Sequence, residues 1–261
     1  NVRVLLATLG LNIPLIVSER SDPFLAQPGR LWRWLAKVTY PLATRITVFT
    51  AHAAKYYPAS LQQKIRVIPN PVVVADEKAQ LQKDTYRLVA VGRLEYVKGF
   101  DLLLRAFALV RQEFPAATLT VWGEGSQRRT LEALRDELGL TAQVFFPGIT
   151  KDIRKALTQA DIFVQTSRWE GFGNALCEAM SVGLPVISTN CSGPQEIIRD
   201  GRDGVLVPVE RVDALAHAIL DLGRDFAKRQ TLAANALEIT NRFALTEIMR
   251  QWEALITEIT D

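Results

Sequence analysis

A chain of 261 residues, nearly half of them hydrophobic, can bury a sizeable core, which excludes a disordered or fibrous protein. Its longest apolar runs fall short of the roughly 18 residues that a membrane-spanning helix needs. The net charge of +3 is unevenly distributed, because residues 1–75 hold nine Lys or Arg against two acidic residues. This basic segment favours an anionic surface or substrate, although an ordinary solvated face explains it equally well.

Cysteine and histidine are too sparse to suggest a disulfide framework or a zinc site. The chain holds Cys177, Cys191, His52 and His217 and no others of either type. This usage is typical of a reducing cytoplasm, so we expect a cytoplasmic protein, with the inner face of the membrane as an alternative position. We predict no bound metal, no cofactor and no nucleic-acid partner.

Residues 1–75 have the pattern of a domain whose beginning is missing, and the start at Asn1 instead of Met suggests a fragment. A polar loop with turn chemistry is expected at Ser18–Pro23. The apolar runs predict strands at Leu15–Val17, Ile46–Thr50 and Ile65–Ile68, and the helical patterns lie at Arg30–Leu42 and Ala51–Tyr57.

The predicted helix at 30–42 is amphipathic in an unusual way. Its basic residues share one face, while Leu31, Trp34, Leu35 and Val38 populate another, and Trp32 stands nearby. Basic residues beside two tryptophans suit a helix on an anionic membrane surface. Packing of both tryptophans inside the first domain explains them equally well. The basic residues are Arg30, Arg33 and Lys37.

A strand ended by Pro69-Asn70-Pro71 and followed by a polar segment predicts a domain boundary, because proline interrupts regular structure. From Tyr86 the chain alternates between strand and helix patterns. Such alternation predicts a doubly wound α/β domain, with ligands at the carboxyl ends of parallel strands. Strands are expected at Leu88–Val91, Leu119–Trp122, Val144–Phe146, Ile162–Gln165, Val186–Ser188 and Val205–Val207. Helices are expected at Asp101–Glu113, Gln127–Leu138, Ile153–Gln159, Asn174–Val182, Gln195–Arg199, Val212–Leu222, Phe226–Glu238 and Leu245–Ile259.

The stretch Thr166–Pro185 (T-S-R-W-E-G-F-G-N-A-L-C-E-A-M-S-V-G-L-P) carries the strongest functional signal. It runs from a strand through a glycine-bearing loop into a helix, whose N-terminal amides favour negative charge. Glu170 and Glu178 frame this position, and Asn174 is a candidate helix cap. A carboxylate can accept two hydrogen bonds from a ribose 2′,3′-diol. The pattern therefore predicts a sugar-nucleotide site.

Three further loops follow strands of the same domain. Arg93 and Lys98, in G-R-L-E-Y-V-K-G, carry charges suited to a diphosphate, or form a solvated pair. Gly123-Glu124-Gly125 is a weak dinucleotide motif, because Arg128 replaces the third glycine, and a tight turn explains it equally well. Ser192 and Glu196, in S-G-P-Q-E, are explained by capping and surface exposure as well as by function.

The segments E-G-F-G-N-A-L-C-E-A-M-S-V-G-L-P and R-x4-K-G together resemble the retaining nucleotide-sugar glycosyltransferases of family 4, which have the GT-B fold. The resemblance implies that Glu170 contacts the donor sugar, Glu178 the ribose, and Arg93 and Lys98 the diphosphate. We therefore predict catalytic roles for Glu170, Arg93 and Lys98. The other predicted donor-binding residues are Phe172, Gly173, Asn174, Ala175, Leu176, Gly123 and Gly148, the last beside the nucleobase.

The same resemblance implies a domain plan and a function. Residues 1–75 would be the remnant of an acceptor-side Rossmann-like domain, 76–85 a linker, 86–240 the complete donor domain, and 241–261 a helix packing back on the first domain. The expected reaction moves a hexose or N-acetylhexosamine from UDP to a glycan or polyprenyl-linked acceptor, metal-free and with retention. The alternatives are an inactive donor-binding fragment or regulatory module and, with less support, an NAD-dependent oxidoreductase.

Overall fold

The structure is a computed structural model that describes residues 1–20, 23–24 and 29–260. Ser21 and Asp22 of the predicted polar loop, and Asp261 at the end of the predicted C-terminal segment 241–261, lie outside the described residues. Within the described part, the strands form two parallel sheets. The small sheet has the order β1-β2-β3 and the large sheet β6-β5-β4-β7-β8-β9. The strands are β1 Ile16–Glu19, β2 Arg45–Val48, β3 Ile65–Val67, β4 Arg87–Val91, β5 Thr118–Trp122, β6 Val144–Gly148, β7 Ile162–Gln165, β8 Val186–Thr189 and β9 Val205–Val207.

Helices connect these strands and cover both faces of the large sheet. Two short 3₁₀ helices lie at Tyr40–Leu42 and Tyr96–Lys98. The α-helices are α1 Val2–Ala7, α2 Arg30–Thr39, α3 Ala51–Ala54, α4 Ala59–Gln62, α5 Phe100–Glu113, α6 Arg128–Glu137, α7 Ile153–Thr158, α8 Asn174–Ser181, α9 Pro194–Ile197, α10 Val212–Arg224, α11 Phe226–Ala236, α12 Ile239–Arg242 and α13 Leu245–Thr260. We call β1–β3 with α1–α4 the small-sheet unit, and β4–β9 with α5–α12 the large-sheet unit.

The large sheet is buried on both faces, as a parallel sheet crossed by helices must be. Every residue of β7 and β8 is buried. One core lies between the sheet and α5, α6 and α10, and includes Leu103, Phe107 and Ile219. The other lies beneath α7, α8 and α12, and includes Phe163 and Met180. The predicted doubly wound α/β class with parallel Rossmann-like sheets is confirmed.

Several element bounds differ from the predictions for local reasons. The helix predicted to reach Leu42 ends at Thr39 and continues as a 3₁₀ turn, because Pro41 cannot donate a backbone hydrogen bond. The helix predicted to reach Tyr57 ends at Ala54. The sequence patterns did not predict the first helix, α1, at Val2–Ala7.

The last helix returns to the small-sheet unit. Ile248 and Leu255 are buried and pack with Ile68. Glu258 lies 2.6 Å from the Arg45 guanidinium and also pairs with Arg66. Ile256, next to Leu255 on the same helix, is half exposed. Among the described residues, no helix combines the length and the apolar character required to cross a membrane.

Candidate active site

The centre of the large sheet contains a point at which the strand order reverses. β4 pairs with β5 on one side and with β7 on the other, with Leu88 opposite Ile162. The connections leaving β4 and β7 therefore diverge and open a crevice at the carboxyl edge. In open parallel sheets this crevice is where ligands bind.

The loops that leave β4 and β7 interlock at this crevice. Gly99 has φ +64°, and a Cβ on it would lie 2.2 Å from the Thr166 carbonyl oxygen. The Thr166 hydroxyl donates to the Lys98 carbonyl oxygen at 2.9 Å, and the Arg168 amide to that of Val97 at 2.8 Å. Glycine is needed at position 99, because any side chain would separate the two loops.

Lys98 and Glu170 meet at the crevice as an ion pair. Their side chains are 19% and 18% exposed, so the pair is largely shielded but reachable from solvent. The Ser167 hydroxyl donates to the same Glu170 carboxylate at 3.3 Å. Arg93, the third predicted catalytic residue, is exposed at the same edge and forms no ion pair with another described residue. The structure thus brings two of the three predicted catalytic residues together, and Arg93 lies in the same loop as Lys98.

Arg168 was missed by the sequence reasoning, although it anchors the loop that carries Glu170. Its side chain is nearly buried and bonds to Asp101 at 2.7 Å and Glu210 at 3.0 Å. The guanidinium also lies 3.9 Å from the ring centroid of Tyr96. These contacts join three loops of the carboxyl edge. The sequence offers no signal for them, because the partners are distant in the chain.

The helix that follows this loop starts with a glycine cap. Gly173 has φ +114°, and its carbonyl oxygen accepts from the Cys177 amide at 3.1 Å. Cys177 is the first residue bonded in this way, so the three preceding amides have no acceptor within the helix. Such a terminus favours negative charge. These amides belong to Asn174, Ala175 and Leu176.

One prediction for this helix needs correction. Asn174 is not the cap, since Gly173 occupies that position; the Asn174 side-chain oxygen instead accepts from Asn70 at 2.8 Å. The side chains of Phe172 and Leu176 are buried in the core beneath α8. Contact of either residue with a ligand would therefore use the backbone.

Glu178 faces a cavity between the two units, on the face of α8 that also carries Asn174 and Ser181. The cavity has a volume of about 290 Å³. Burial raises the pKa of the Glu178 carboxyl, and the charge of Arg154 partly opposes this change. Glu170 and Lys98 are not part of the lining, so Glu170 and Glu178 face different parts of the crevice. The lining residues are Arg20, Asn70, Pro71, Val72, Val73, Arg154, Asn174, Cys177, Glu178 and Ser181.

Gly123 and Gly148, both predicted to bind the donor, contact each other, and Gly123 also lies against the loop that follows β4. The Gly123 amide donates to the Gly148 carbonyl oxygen at 2.8 Å. A Cβ on Gly123 would lie 1.9 Å from the Gly92 carbonyl oxygen, and one on Gly125 2.4 Å from that of Leu94. These glycines allow segments of the backbone to approach one another closely. Close backbone packing therefore explains the G-x-G loop, and it provides no support for the phosphate-binding role on which the dinucleotide alternative depended.

The ligands that a metal ion would need are not assembled in the part of the chain that the structure describes. No three side chains of His, Cys, Asp or Glu come together there in a suitable arrangement. The charged groups at the crevice are instead the Lys98 ammonium, the Arg93 guanidinium and the two glutamates. This combination suits an anionic ligand that carries hydroxyl groups.

Comparison with known families decides what kind of protein has this crevice. The model of the family described as glycosyl transferases group 1 matches residues 74–238, more than half of the chain. The chain belongs to this family. The match begins before β4 and ends between α11 and α12, and it includes Glu170, Glu178, Arg93 and Lys98.

Relatives of this group 1 glycosyltransferase include characterized and uncharacterized proteins. An uncharacterized glycosyltransferase of Methanocaldococcus jannaschii is 30% identical over 94% of this chain and 72% of its own length. A Campylobacter jejuni α-1,4-N-acetyl-D-galactosaminyltransferase, named for an undecaprenol-linked acceptor, is 27% identical over 99% of this chain and 72% of its own. A lipopolysaccharide core glycosyltransferase of Rhizobium meliloti is 34% identical, and the chain spans 53% of its length.

Solved structures extend the similarity to the whole described fold. Anabaena HepE in complex with UDP matches with a TM-score of 0.87 and 22% identity, over 98% of this chain and 76% of that one. A pneumococcal O-GlcNAc transferase in complex with UDP and GlcNAc matches with a TM-score of 0.83 and 22% identity, over 95% and 53%. The group 1 glycosyltransferase therefore has the GT-B fold that the sequence resemblance implied.

Proposed function

We propose that this chain transfers a hexose or N-acetylhexosamine from UDP to a glycan or polyprenyl-linked acceptor, with retention of configuration, in cell-surface polysaccharide or glycan synthesis. The observation that carries the proposal is the Lys98–Glu170 pair at the β4–β7 crevice, next to the N-terminus of α8. The pair supplies a cation and a carboxylate, and α8, which begins four residues after Glu170, supplies amides without an acceptor in the helix. The charge and hydroxyl groups of a sugar diphosphate would bind to all three.

The division of roles follows from the chemistry of donor cleavage. As the bond between sugar and phosphate breaks, negative charge builds on the departing diphosphate. Lys98, Arg93 and the amides of Asn174 and Ala175 would stabilise that charge. Glu170, held by Lys98, would then orient the donor sugar through its hydroxyl groups.

Glu178 supports the nucleoside part of the proposal. Its carboxylate lines the cavity between the units and makes no hydrogen bond to another described side chain, so its acceptor oxygens face the cavity. The two hydroxyls of a ribose would satisfy them. Arg154 on the cavity wall adds a positive charge.

UDP is proposed as the nucleotide because the structural neighbours named above were solved with it. The lipid-linked acceptor is proposed from the name of the Campylobacter jejuni relative. We also propose that transfer is metal-independent, since the cations described supply positive charge to the diphosphate themselves.

A thermal-shift titration with UDP, GDP and NAD tests the donor site. At 100 times its dissociation constant a ligand adds about 2.7 kcal/mol, or roughly 5–11 °C for a chain of this size. We expect that shift with UDP, its loss in Glu178→Gln, and its retention in the exposed control Glu137→Gln. A shift with NAD alone would overturn the proposal. A UDP shift without sugar turnover would favour the donor-binding, inactive alternative.

We further propose that α2 rests on an anionic membrane surface. Leu31, Trp34 and Val38 form a stripe whose members are 65%, 59% and 47% exposed. The alternative that both tryptophans are packed inside the first domain is therefore wrong for Trp34 and largely wrong for Trp32. Trp32 is 40% exposed, and the Arg3 guanidinium lies over its ring. The adjoining face carries Arg30, Arg33 and Lys37, all exposed, and α1 and α2 contain no acidic residue. An apolar stripe flanked by cations matches anionic headgroups over acyl chains.

Co-sedimentation with vesicles tests this contact. We expect binding to phosphatidylcholine vesicles that contain phosphatidylglycerol and little to phosphatidylcholine alone. Each cation near an anionic surface contributes about 1 kcal/mol, so the double variant Arg33→Ala, Lys37→Ala should bind roughly 30-fold more weakly. Trp34→Ser should also weaken binding, whereas Leu109→Ser, on an exposed position of α5, should not. Equal binding to both vesicle types would refute the proposal.

A further inference from the structure

Glu196 joins the two units through a contact that the donor chemistry does not use. One carboxylate oxygen accepts from the Ala51 amide at 2.9 Å, and the other from the His52 amide at 2.7 Å. These amides begin α3, where helix geometry provides no internal acceptor. The next amide, that of Ala53, is satisfied locally by the Thr50 hydroxyl at 3.1 Å. The start of α3 thus depends on a residue of the other unit.

The segment that carries Glu196 packs directly against the loop from Glu170 to Phe172. The Glu170 carbonyl oxygen accepts from the Gly193 amide at 3.1 Å and from the Ser192 hydroxyl at 2.9 Å. A Cβ on Gly193 would lie 2.3 Å from the Phe172 carbonyl oxygen, so the two backbones are in direct contact. A shift of Glu170 or Phe172 must therefore move Glu196.

A second contact joins the same loop to the other side of the cavity. Asn70 donates to Asn174, the first residue of α8, at 2.8 Å. Phe49, at the end of β2, lies 6.0 Å from Phe172 between ring centroids. The residues that border the candidate donor site thus also border the small-sheet unit.

We propose that Glu196 is a positioning residue that couples occupancy of the donor crevice to the placement of the small-sheet unit. A nucleotide that engages Lys98 and the α8 terminus immobilises the loop from Glu170 to Phe172. That loop immobilises Gly193 and Glu196, and Glu196 then holds the start of α3. This inference rests on the proposed donor site, because it takes a nucleoside diphosphate as the ligand that orders the loop.

Hydrogen–deuterium exchange of the peptide containing Ala51 and His52 measures this coupling, with UDP as the probe. In the unaltered chain, UDP should slow exchange of this peptide by about fivefold or more, the lower end of ordinary coupling between sites. Glu196→Gln should exchange faster without UDP and lose the response to it. Thr50→Ala removes the local cap of the same helix but leaves both Glu196 bonds, so it should keep the response.

The outcomes separate this inference from the proposed function. If UDP stabilises the protein in a thermal shift but leaves exchange of the peptide unchanged, the coupling is wrong and the donor site stands. The same holds if Glu196→Gln responds to UDP as the unaltered chain does. If UDP produces no thermal shift, the donor site fails, and the coupling fails with it.

Discussion

Replacement of Lys98 by methionine removes a charge from the crevice and keeps most of the side-chain volume. The Lys98 side chain is 19% exposed, and its ammonium pairs with Glu170. If it also contacts the donor diphosphate, its loss should weaken binding of UDP and leave uridine, which has no phosphate, nearly unaffected. The comparison of the two ligands isolates the phosphate contact from any general damage to the fold.

The expected size of the effect follows from hydrogen bonds to charged groups, which contribute about 1.5–3 kcal/mol each. At 1.4 kcal/mol per tenfold change, UDP should bind about 10- to 150-fold more weakly. The upper part of this range is expected, because the Glu170 carboxylate would lose its cationic partner and retain Ser167 as its hydrogen-bond partner. An uncompensated carboxylate near a diphosphate adds repulsion to the lost attraction.

Isothermal titration with UDP and uridine measures both affinities on the same protein. Lys155→Met is the matched control, since Lys155 is an exposed cation on α7, away from the Lys98–Glu170 pair. An equal loss of affinity for UDP and uridine in Lys98→Met would show that the residue supports the fold and not the phosphate. If Lys98→Met and Lys155→Met weaken UDP binding equally, the loss reflects the change in net charge and not a contact between Lys98 and the phosphates.

Two further substitutions test the site through stability. Gly123→Ala places a Cβ 1.9 Å from the Gly92 carbonyl oxygen, at a residue with φ +143°, so it should lower the free energy of unfolding by about 3 kcal/mol or more. Gly29→Ala is the near-neutral control, because its Cβ would meet no atom of the described residues within 4 Å. Urea unfolding of both variants compares them. Glu178→Gln should raise the free energy of unfolding of the nucleotide-free protein at pH 7 but not at pH 4. Burial raises the pKa of Glu178 in the folded state, so the carboxylate lowers stability as pH rises above the unfolded pKa. A variant less stable than the parent at pH 7 would contradict this.

The fold and the centre of the site were predictable because their signals are periodic or local. Alternating strand and helix patterns from Tyr86 onward require parallel strands, and parallel strands place all their carboxyl ends at one edge. Lys98 and Glu170 are 72 residues apart, yet each lies in the loop that follows a strand ending at that edge. Their meeting needs only the adjacency of β4 and β7, which the order of the large sheet supplies.

What could not be predicted are contacts between polar residues without a periodic pattern. The bonds of Arg168 to Asp101 and of Glu196 to the start of α3 join positions 67 and 144–145 residues apart. The hydrophobic periodicity of α2 also did not predict whether its apolar stripe is buried by the rest of the protein. The pattern gives the spacing of Leu31 and Trp34 along the helix but not which residues pack against them.

The glycines of the carboxyl edge let the loops pack closely against one another. Glycine-rich loops after strands are commonly interpreted as phosphate cradles, because a missing Cβ lets a ligand approach the backbone. Here the space beside Gly99 and Gly123 is filled by the Thr166 and Gly92 carbonyl oxygens, so these glycines draw three loops together. The chemistry that remains for a ligand belongs to side-chain charges and to the α8 terminus beyond Gly173. Substitution at Gly123 should therefore disturb donor binding through displacement of Arg93 and Lys98, and not through a lost backbone contact.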